Sequence, residues 1–534
     1  EEHNILCETR SSHLPLIIMK PLLFAAAFLG SLVSSVPSGF VDEDVGRVVR
    51  GTGIAFVWNQ ITDRPMLLVT NKGGQLYAIE DPDEEKPSTK LILDISDGTC
   101  DNGERGLQGV VAHPNFRENK WLYLFYTAVP DTETKCLLED NDRGPRNRVS
   151  RMKVGSDNMV DKSTEEVLLT TVPLFGFNHN GGAILFGNDG HLYVTLGDGG
   201  GRGDSYSQKK NILLGKVLRI TDEGGIPDDN PYIGSNSARC HLGVVLDEGK
   251  VCQEIHSIGL RNPFRFAMDM NTKDKVRFLI SDVGGNTWEE IDEGGAGLNY
   301  GWPIREGPCR LGSVDDCQTI EGVYEDPLHW YLHTDEGGCA VGGTFIPKEA
   351  GWPQEYDDGF LFADFVFGDI SLLTKTDEGC RSCIPPTSSF SNVTFHEWPR
   401  VVDLLFGPYK DGMALYYTAR EGSKNVRRIR FLGDGNSAPI AVIASNTTKG
   451  EMPLVVQFDA SGSSDPDGDE ITYKWDFGDV PMVSSNKKSV VVTYDDPGVY
   501  TVSLTVQDTS AVSNTASIDI QVGTPPVAIM DSPL

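Results

Sequence analysis

The chain has 534 residues, more than one hydrophobic core usually supports, so at least two domains are expected. Its 77 acidic against 46 basic side chains give a formal net charge of -31, which argues against a nucleic-acid partner because phosphates would be repelled. The acids come in short groups such as Glu80-Asp81-Pro82-Asp83-Glu84-Glu85, which reads as a solvated surface or, alternatively, as carboxylates some of which hold calcium.

Met19-Lys20 precedes the apolar run from Pro21 to Val33, and Ser34-Ser35-Val36-Pro37-Ser38 follows. A cation, a short apolar stretch and small residues make a secretory signal peptide over 19–38, with 1–18 read as an upstream leader. The run is too short for a comfortable membrane span, and the mature chain has no better one. The expectation is a secreted protein. Ten cysteines agree with an oxidising compartment. Cys240/Cys252, Cys309/Cys317 and Cys380/Cys383 are close enough to staple local loops, and Cys100/Cys136 can bridge across a hairpin, although connectivity is not fixed by spacing; a Cys-x-x-Cys redox or zinc site at Cys380/Cys383 is the alternative. Asn392-Val393-Thr394 and Asn446-Thr447-Thr448 are glycosylation sequons.

Along the rest of the chain one unit recurs: turn residues followed by an alternating aromatic-aliphatic strand. It occurs at Gly73–Tyr77, Asn119–Tyr123, Asp189–Tyr193, Asp274–Leu279, Asp358–Phe362 and Asp411–Tyr416. No amphipathic helix of any length intervenes. Six such units at irregular spacing predict an all-β, six-bladed β-propeller over 46–432, with long loops that carry function. Residues 433–438 read as a linker, and a second all-β module follows over 439–522. The segments Val456–Gly468, Tyr473–Asp479 and Pro497–Val502 of that module resemble the polycystin-type (PKD) domain, an immunoglobulin-like β-sandwich of extracellular proteins. Thr524–Ile529 repeats its opening, so 523–534 reads as the start of a second copy. Asp465-Pro466-Asp467-Gly468-Asp469 is either a calcium loop or, more simply, a β-turn with solvated acids.

The chemistry concentrates in Asn178-His179-Asn180-Gly181-Gly182, in Leu196-Gly197-Asp198-Gly199-Gly200, in Gly259-Leu260-Arg261-Asn262-Pro263 and in Ser281-Asp282-Val283-Gly284-Gly285-Asn286. Glycines let backbone approach a flat ligand, and a histidine exchanges protons near neutral pH. In this order the motifs resemble the glucose/sorbosone dehydrogenase family, propellers whose catalytic members use pyrroloquinoline quinone (PQQ) and calcium. The resemblance implies that His179 is the base that takes the sugar's C1 hydroxyl proton while hydride passes to the quinone. It also implies that Arg261 stabilises charge on the reduced quinone, and that Asp198 and Asn262 lie by the cofactor. Calcium would be held by the Gly284 and Gly285 carbonyls, with Glu289, Glu290 and Asp292 adding charge. Asn299-Tyr300-Gly301-Trp302-Pro303 reads as structural.

The chain also departs from the family pattern. Glu104-Arg105 stands where catalytic members carry a glutamine, in the manner of the hedgehog-interacting-protein-like branch, and Glu104 is placed beside the cofactor. The lysine expected to grip a quinone carboxylate is missing from Ala363–Gly368, and of two expected arginines Arg400 matches one while Val402 replaces the other. Two functions compete. One is a PQQ- and calcium-dependent dehydrogenase of aldose sugars that passes electrons to an acceptor the sequence does not name. The other is a non-catalytic extracellular binding protein. In either case the PKD module serves cell-surface or polysaccharide contact.

Overall fold

A computed structural model describes residues 36–37 and 39–523, apart from 85–86, 130–135, 137–143, 175, 202, 241, 246, 248, 318–322, 334–337, 376–389, 398–399, 411, 421–424, 433–438, 466–469, 479–486 and 509–512. The expected signal peptide and leader, the Cys380/Cys383 pair, most of the Asp465–Asp469 loop, the linker and the residues after 523 lie outside or almost wholly outside this set.

The described residues of the larger unit form six four-stranded antiparallel sheets, the blades of a β-propeller. Their innermost strands are Gly51–Trp58, Leu107–Ala112, Ile184–Phe186, Pro263–Met268, Ala340–Phe345 and Val401–Tyr409, each packed beside the next and the last beside the first. The recurrent turn-strand unit feeds the second strand in blades two to six (Trp121–Ala128, Leu192–Leu196, Phe278–Asp282, Phe360–Asp364 and Gly412–Ala419). In the first blade it feeds the third strand, Gln75–Glu80. A second strand is covered on both faces by neighbouring blades, which is why Trp121–Ala128 is apolar throughout and almost wholly buried. An outer strand such as Val160–Thr170 faces water and is mostly polar and exposed.

The ring closes differently from the boundary read at residue 46. Phe40–Gly46 is the outer strand of the sixth blade, paired with Val426–Phe431, so the first and last strands of the propeller share one sheet. Charge fastens this closure. Asp42 accepts hydrogen bonds from Tyr417 Oη (2.8 Å) and Arg427 Nε (2.9 Å) and pairs with His396 Nε2 (3.1 Å). Glu43 holds Arg428 (2.7 Å) and Arg430 (2.8 Å). Disulfides join Cys100–Cys136, Cys240–Cys252 and Cys309–Cys317; Cys339 is also disulfide-bonded. No helix among the described residues is long and apolar enough to cross a membrane.

The second unit is a β-sandwich. Ala444–Ser445, Leu454–Asp459 and Ser489–Tyr494 make one sheet; Lys449–Glu451, Ser513–Gly523, Gly498–Gln507 and Thr472–Asp476 make the other. Its core is Phe458, Trp475, Phe477, Val492, Tyr494, Val502 and Leu504, with Trp475 Nε1 donating to the Lys487 carbonyl (2.9 Å).

Candidate active site

Antiparallel pairing decides where the predicted residues meet. The loop entering an innermost strand and the loop leaving the second strand of a blade emerge at the same end of the disc. Glu104, His179 and Arg261-Asn262 precede innermost strands, whereas Asp198 and Gly284-Gly285 follow second strands. All therefore lie at one end, and the side chains of Glu104, His179, Asp198, Arg261 and Asn262 are buried there.

His179 Nδ1 lies 2.7 Å from Asp198 Oδ1. The same carboxylate accepts Gly200 N–H on Oδ1 (2.8 Å) and Trp302 Nε1–H on Oδ2 (2.9 Å). Burial pushes the Asp198 carboxyl up, but His179, Arg261 and the Gly200 amide more than offset it and hold the group below its ordinary value. An ionised Asp198 accepts a hydrogen bond from Nδ1–H of His179, the tautomer whose Nε2 lone pair is free to accept a proton. The backbone of His179 is left-handed, φ 58°, a conformation that costs energy in a non-glycine residue. Two hydrogen bonds hold it there: His179 N–H to Glu104 Oε2 (2.7 Å) and Gly199 N–H to the His179 carbonyl (3.1 Å).

Glu104 and Asn262 tie the neighbouring loops to one another. Glu104 Oε2 also accepts Asn262 Nδ2 (3.1 Å), and Asn262 Oδ1 accepts Gly181 N–H (3.0 Å), so these two side chains lock the histidine loop to the Arg-Asn-Pro loop. Burial raises the Glu104 carboxyl against the opposing pull of His179, Arg261 and Asn262. Arg261 stacks over Trp302 (5.3 Å to the ring centre) and donates Nη1 to the Val283 carbonyl (3.1 Å), while its Nε is buried with no partner. Asp282 underlies this segment, accepting Arg261 N–H (2.9 Å) and Asn262 N–H (2.7 Å); burial pushes its carboxyl up to about 7, partly offset by those bonds.

The Gly284-Gly285 loop is held from below. Gly284 N–H donates to Glu289 Oε1 (3.2 Å), and Glu306 Oε1 accepts the successive amides of Gly285, Asn286, Thr287 and Trp288 (2.8–3.1 Å). Among the described residues nothing donates to the Gly284 or Gly285 carbonyl oxygen. A Cβ on Gly284 would lie 1.6 Å from the Trp288 carbonyl, so only glycine fits. Beside His179 opens a 470 Å³ cavity bordered by Asn102, Gly103, Gly176, Phe177, Asn178 and Gly200. Arg400 is brought to the start of the sixth blade's innermost strand, exposed and with φ 39°, whereas blades two to four build the cluster. Three contributors escaped the sequence reading. Trp302 was assigned to structure but holds Asp198; Asp282 and Glu306 act through backbone amides, for which a sequence carries no signal beyond their place beside the glycine motifs.

These features define a six-bladed propeller with a buried His-Asp pair, an arginine and a tightly held Gly-Gly loop at one end. A profile of the Glucose / Sorbosone dehydrogenase family matches residues 54–379, and a PKD-domain profile matches 436–522. The chain belongs to the glucose/sorbosone dehydrogenase family and carries a PKD domain after it. It is 28% identical over 425 residues to HIPL2 protein of Arabidopsis thaliana, covering 68% of this chain and 58% of that protein. It is 30% identical over 245 residues to aldose sugar dehydrogenase YliI of Escherichia coli K12 (46% and 57%) and 27% over 367 residues to quinoprotein glucose dehydrogenase B of Acinetobacter calcoaceticus (63% and 68%). The chain thus spans little more than half the length of HIPL2 and of YliI. The soluble aldose sugar dehydrogenase structure from Escherichia coli shares the fold, with TM-score 0.56 at 21% identity over 73% of this chain and 99% of that one.

Proposed function

We propose that this protein is a secreted oxidoreductase that uses PQQ and calcium to oxidise the anomeric CH–OH of aldose sugars. The observation that carries the reading is the His179–Asp198 pair set beside Arg261 and the Gly284-Gly285 cradle. The donor set fits the group. Arg261 offers an unpartnered buried Nε–H to an anionic or quinone oxygen, and the two glycine carbonyls offer oxygen to a hard cation. When bound, PQQ with its calcium supplies the two-electron acceptor and its Lewis acid. The chain's own work is then proton handling and orientation. His179 Nε2 takes the C1 hydroxyl proton, and Asp198 fixes the tautomer and balances the imidazolium. Glu104 and Asn262 hold the base in place, and Trp302 keeps Asp198 and Arg261 in register. Secretion is supported by the apolar run after Met19 and by the disulfides. The relatives named for sugar dehydrogenation support an aldose substrate, and the PKD domain supports contact with polysaccharide or cell surface.

A second reading, an extracellular binding protein on the same scaffold, is favoured by the shortage of cations for the three PQQ carboxylates. Arg105 donates to the carbonyls of Gly176 (2.7 Å) and Cys136 (3.3 Å), and Lys72 to that of Gly103. Burial lowers Arg105 to about 10, and burial together with Arg50 lowers Lys72 to about 8. Where a lysine is expected, Asp364 caps its own loop through Val366 N–H (2.8 Å) and Phe367 N–H (2.9 Å). Titration of the purified protein with PQQ and calcium, followed by turnover of an aldose panel with an artificial acceptor, separates the readings. A spectral change and sugar-dependent reduction are expected; neither at saturation overturns the enzyme reading.

A further inference from the structure

In the first sheet of the β-sandwich the strand Ser489–Tyr494 lies at the edge. It pairs on one side with Leu454–Asp459 and, among the described residues, with nothing on the other. Ala460 N–H donates to the Lys488 carbonyl (2.9 Å), which sets the alternation of the ladder. The even-numbered residues bond inward, and the backbone N–H and C=O of Ser489, Val491 and Thr493 point out from the sheet edge. Natural edges are blunted by proline, by charge within the strand, by bulges or by shortness. The other edges of the sandwich follow that rule: Ala444–Ser445 and Lys449–Glu451 are short, and Thr472–Asp476 carries an exposed Lys474. Ser489–Tyr494 does not follow it, being uncharged, free of proline and paired without a register shift.

The solvent face of this edge is apolar as well. Val491 is 56% exposed, and Val455, diagonal to it on the neighbouring strand, is 52% exposed. The flanks supply what selects a partner. Exposed Lys487 and Lys488 precede the strand, and exposed Asp495 and Asp496 follow it. Laid parallel on a second copy of the strand, lysines would meet lysines and aspartates would meet aspartates. Laid antiparallel, opposite charges meet at both ends.

We infer that this edge is a self-association surface: Ser489–Tyr494 pairs antiparallel with the same strand of a second copy of the chain, across a two-fold axis at Val491. Such an axis stands perpendicular to the joined sheet and sets one residue opposite its own counterpart. With Val491 in that place, Ser489 lies opposite Thr493 of the second copy, and the outward backbone groups of all three residues find partners. The same register brings Lys487 to Asp495 of the second copy. Val455 and Val491 of the two copies then form one stripe on the joined face, covering apolar surface that the lone module leaves in water. Each copy offers this edge once, so the pairing closes at two. The surface lies wholly on the sandwich and does not depend on the proposed sugar chemistry.

The test is sedimentation of the full chain across a concentration series. A dimer that grows with concentration and weakens with added salt is expected. Val491→Lys sets like charges across the axis on a side chain already in solvent. It should weaken the dimer at least ~10-fold while the thermal midpoint stays native. Asp495→Lys should weaken it ~3- to 10-fold, and adding Lys487→Asp to that variant should restore it, because the swapped pair attracts again. A monomer at every soluble concentration overturns the proposal. So does a dimer that Val491→Lys leaves intact, or a series of higher oligomers. Indifference to Asp495→Lys, or a double swap that fails to restore the dimer, overturns the register.

Discussion

Two arcs of the propeller end that carries the candidate site differ in kind. Along blades two to four every candidate group is fixed by at least one buried hydrogen bond, from Glu104 through His179 and Asp198 to Arg261 and the Gly284 loop. Along blades five and six the matching positions carry Asp364, which caps its own loop, and an exposed Arg400. The difference separates two tasks that a cofactor enzyme combines. Holding a base and an oxyanion donor in position needs short, buried, mutually satisfying contacts; gripping a carboxylate-rich ligand needs cations with free hydrogen-bond capacity. This chain retains the first arrangement and is thin in the second.

His179→Ala breaks the comparison on its stronger side. A general base contributes about 10²–10⁴-fold to the chemical step, so kcat should fall by that range while PQQ and calcium affinity, measured by titration, stays near native. Equal loss of affinity would mean that the histidine is an anchor instead.

The ring closure lies on the weaker arc and is next in size. Asp42→Asn removes one partner of a buried ion pair, which costs about 3 kcal/mol or more, read as a lower denaturation midpoint. Burial would raise this carboxyl, but His396, Arg427 and Tyr417 overcome it and hold it below its ordinary value. Its stabilisation is therefore present above the unfolded carboxylate pKa of about 4 and lost as pH falls through the lower folded value. Acid unfolding should be shallower in the variant, and identical acid profiles would assign the closure to the backbone ladder alone.

Restoring a cation sharpens the comparison from the other side. Val366→Lys puts an ammonium on the half-buried loop after Asp364. One charged hydrogen bond is worth about 1.5–3 kcal/mol, so PQQ should bind about 10- to 100-fold more tightly, with kcat at saturation unchanged. No gain would mean that this arc does not face the ligand.

The smallest effect is expected at Trp302→Phe, which keeps the ring under Arg261 but removes the donor to Asp198. Loss of one hydrogen bond to a carboxylate should lower kcat about tenfold, and the pH-rate profile should shift because Asp198 is held less firmly in its ionised form. A structural role alone would leave that profile in place.

Most of the fold was legible in the sequence because a propeller repeats one local signal. A tight turn followed by apolar alternation marks a strand wherever it occurs, and five of the six units found this way are second strands. The glycine motifs and the PKD module were legible for the same reason: close backbone approach and buried aromatic pairs restrict residue type locally. The resemblance of their motifs to the glucose/sorbosone dehydrogenase family pointed to His179, Asp198 and Arg261, which lie together at one end of the ring. It could not show that Phe40–Gly46 completes the last blade, because pairing between residues nearly 400 positions apart leaves no local trace. Nor could it show that Glu104 spends its carboxylate on the histidine backbone and Asn262, that Trp302 also donates to Asp198, or that Glu306 gathers four amides. Those roles depend on which side chains the closed ring brings within hydrogen-bond distance, and only the tertiary structure sets those distances.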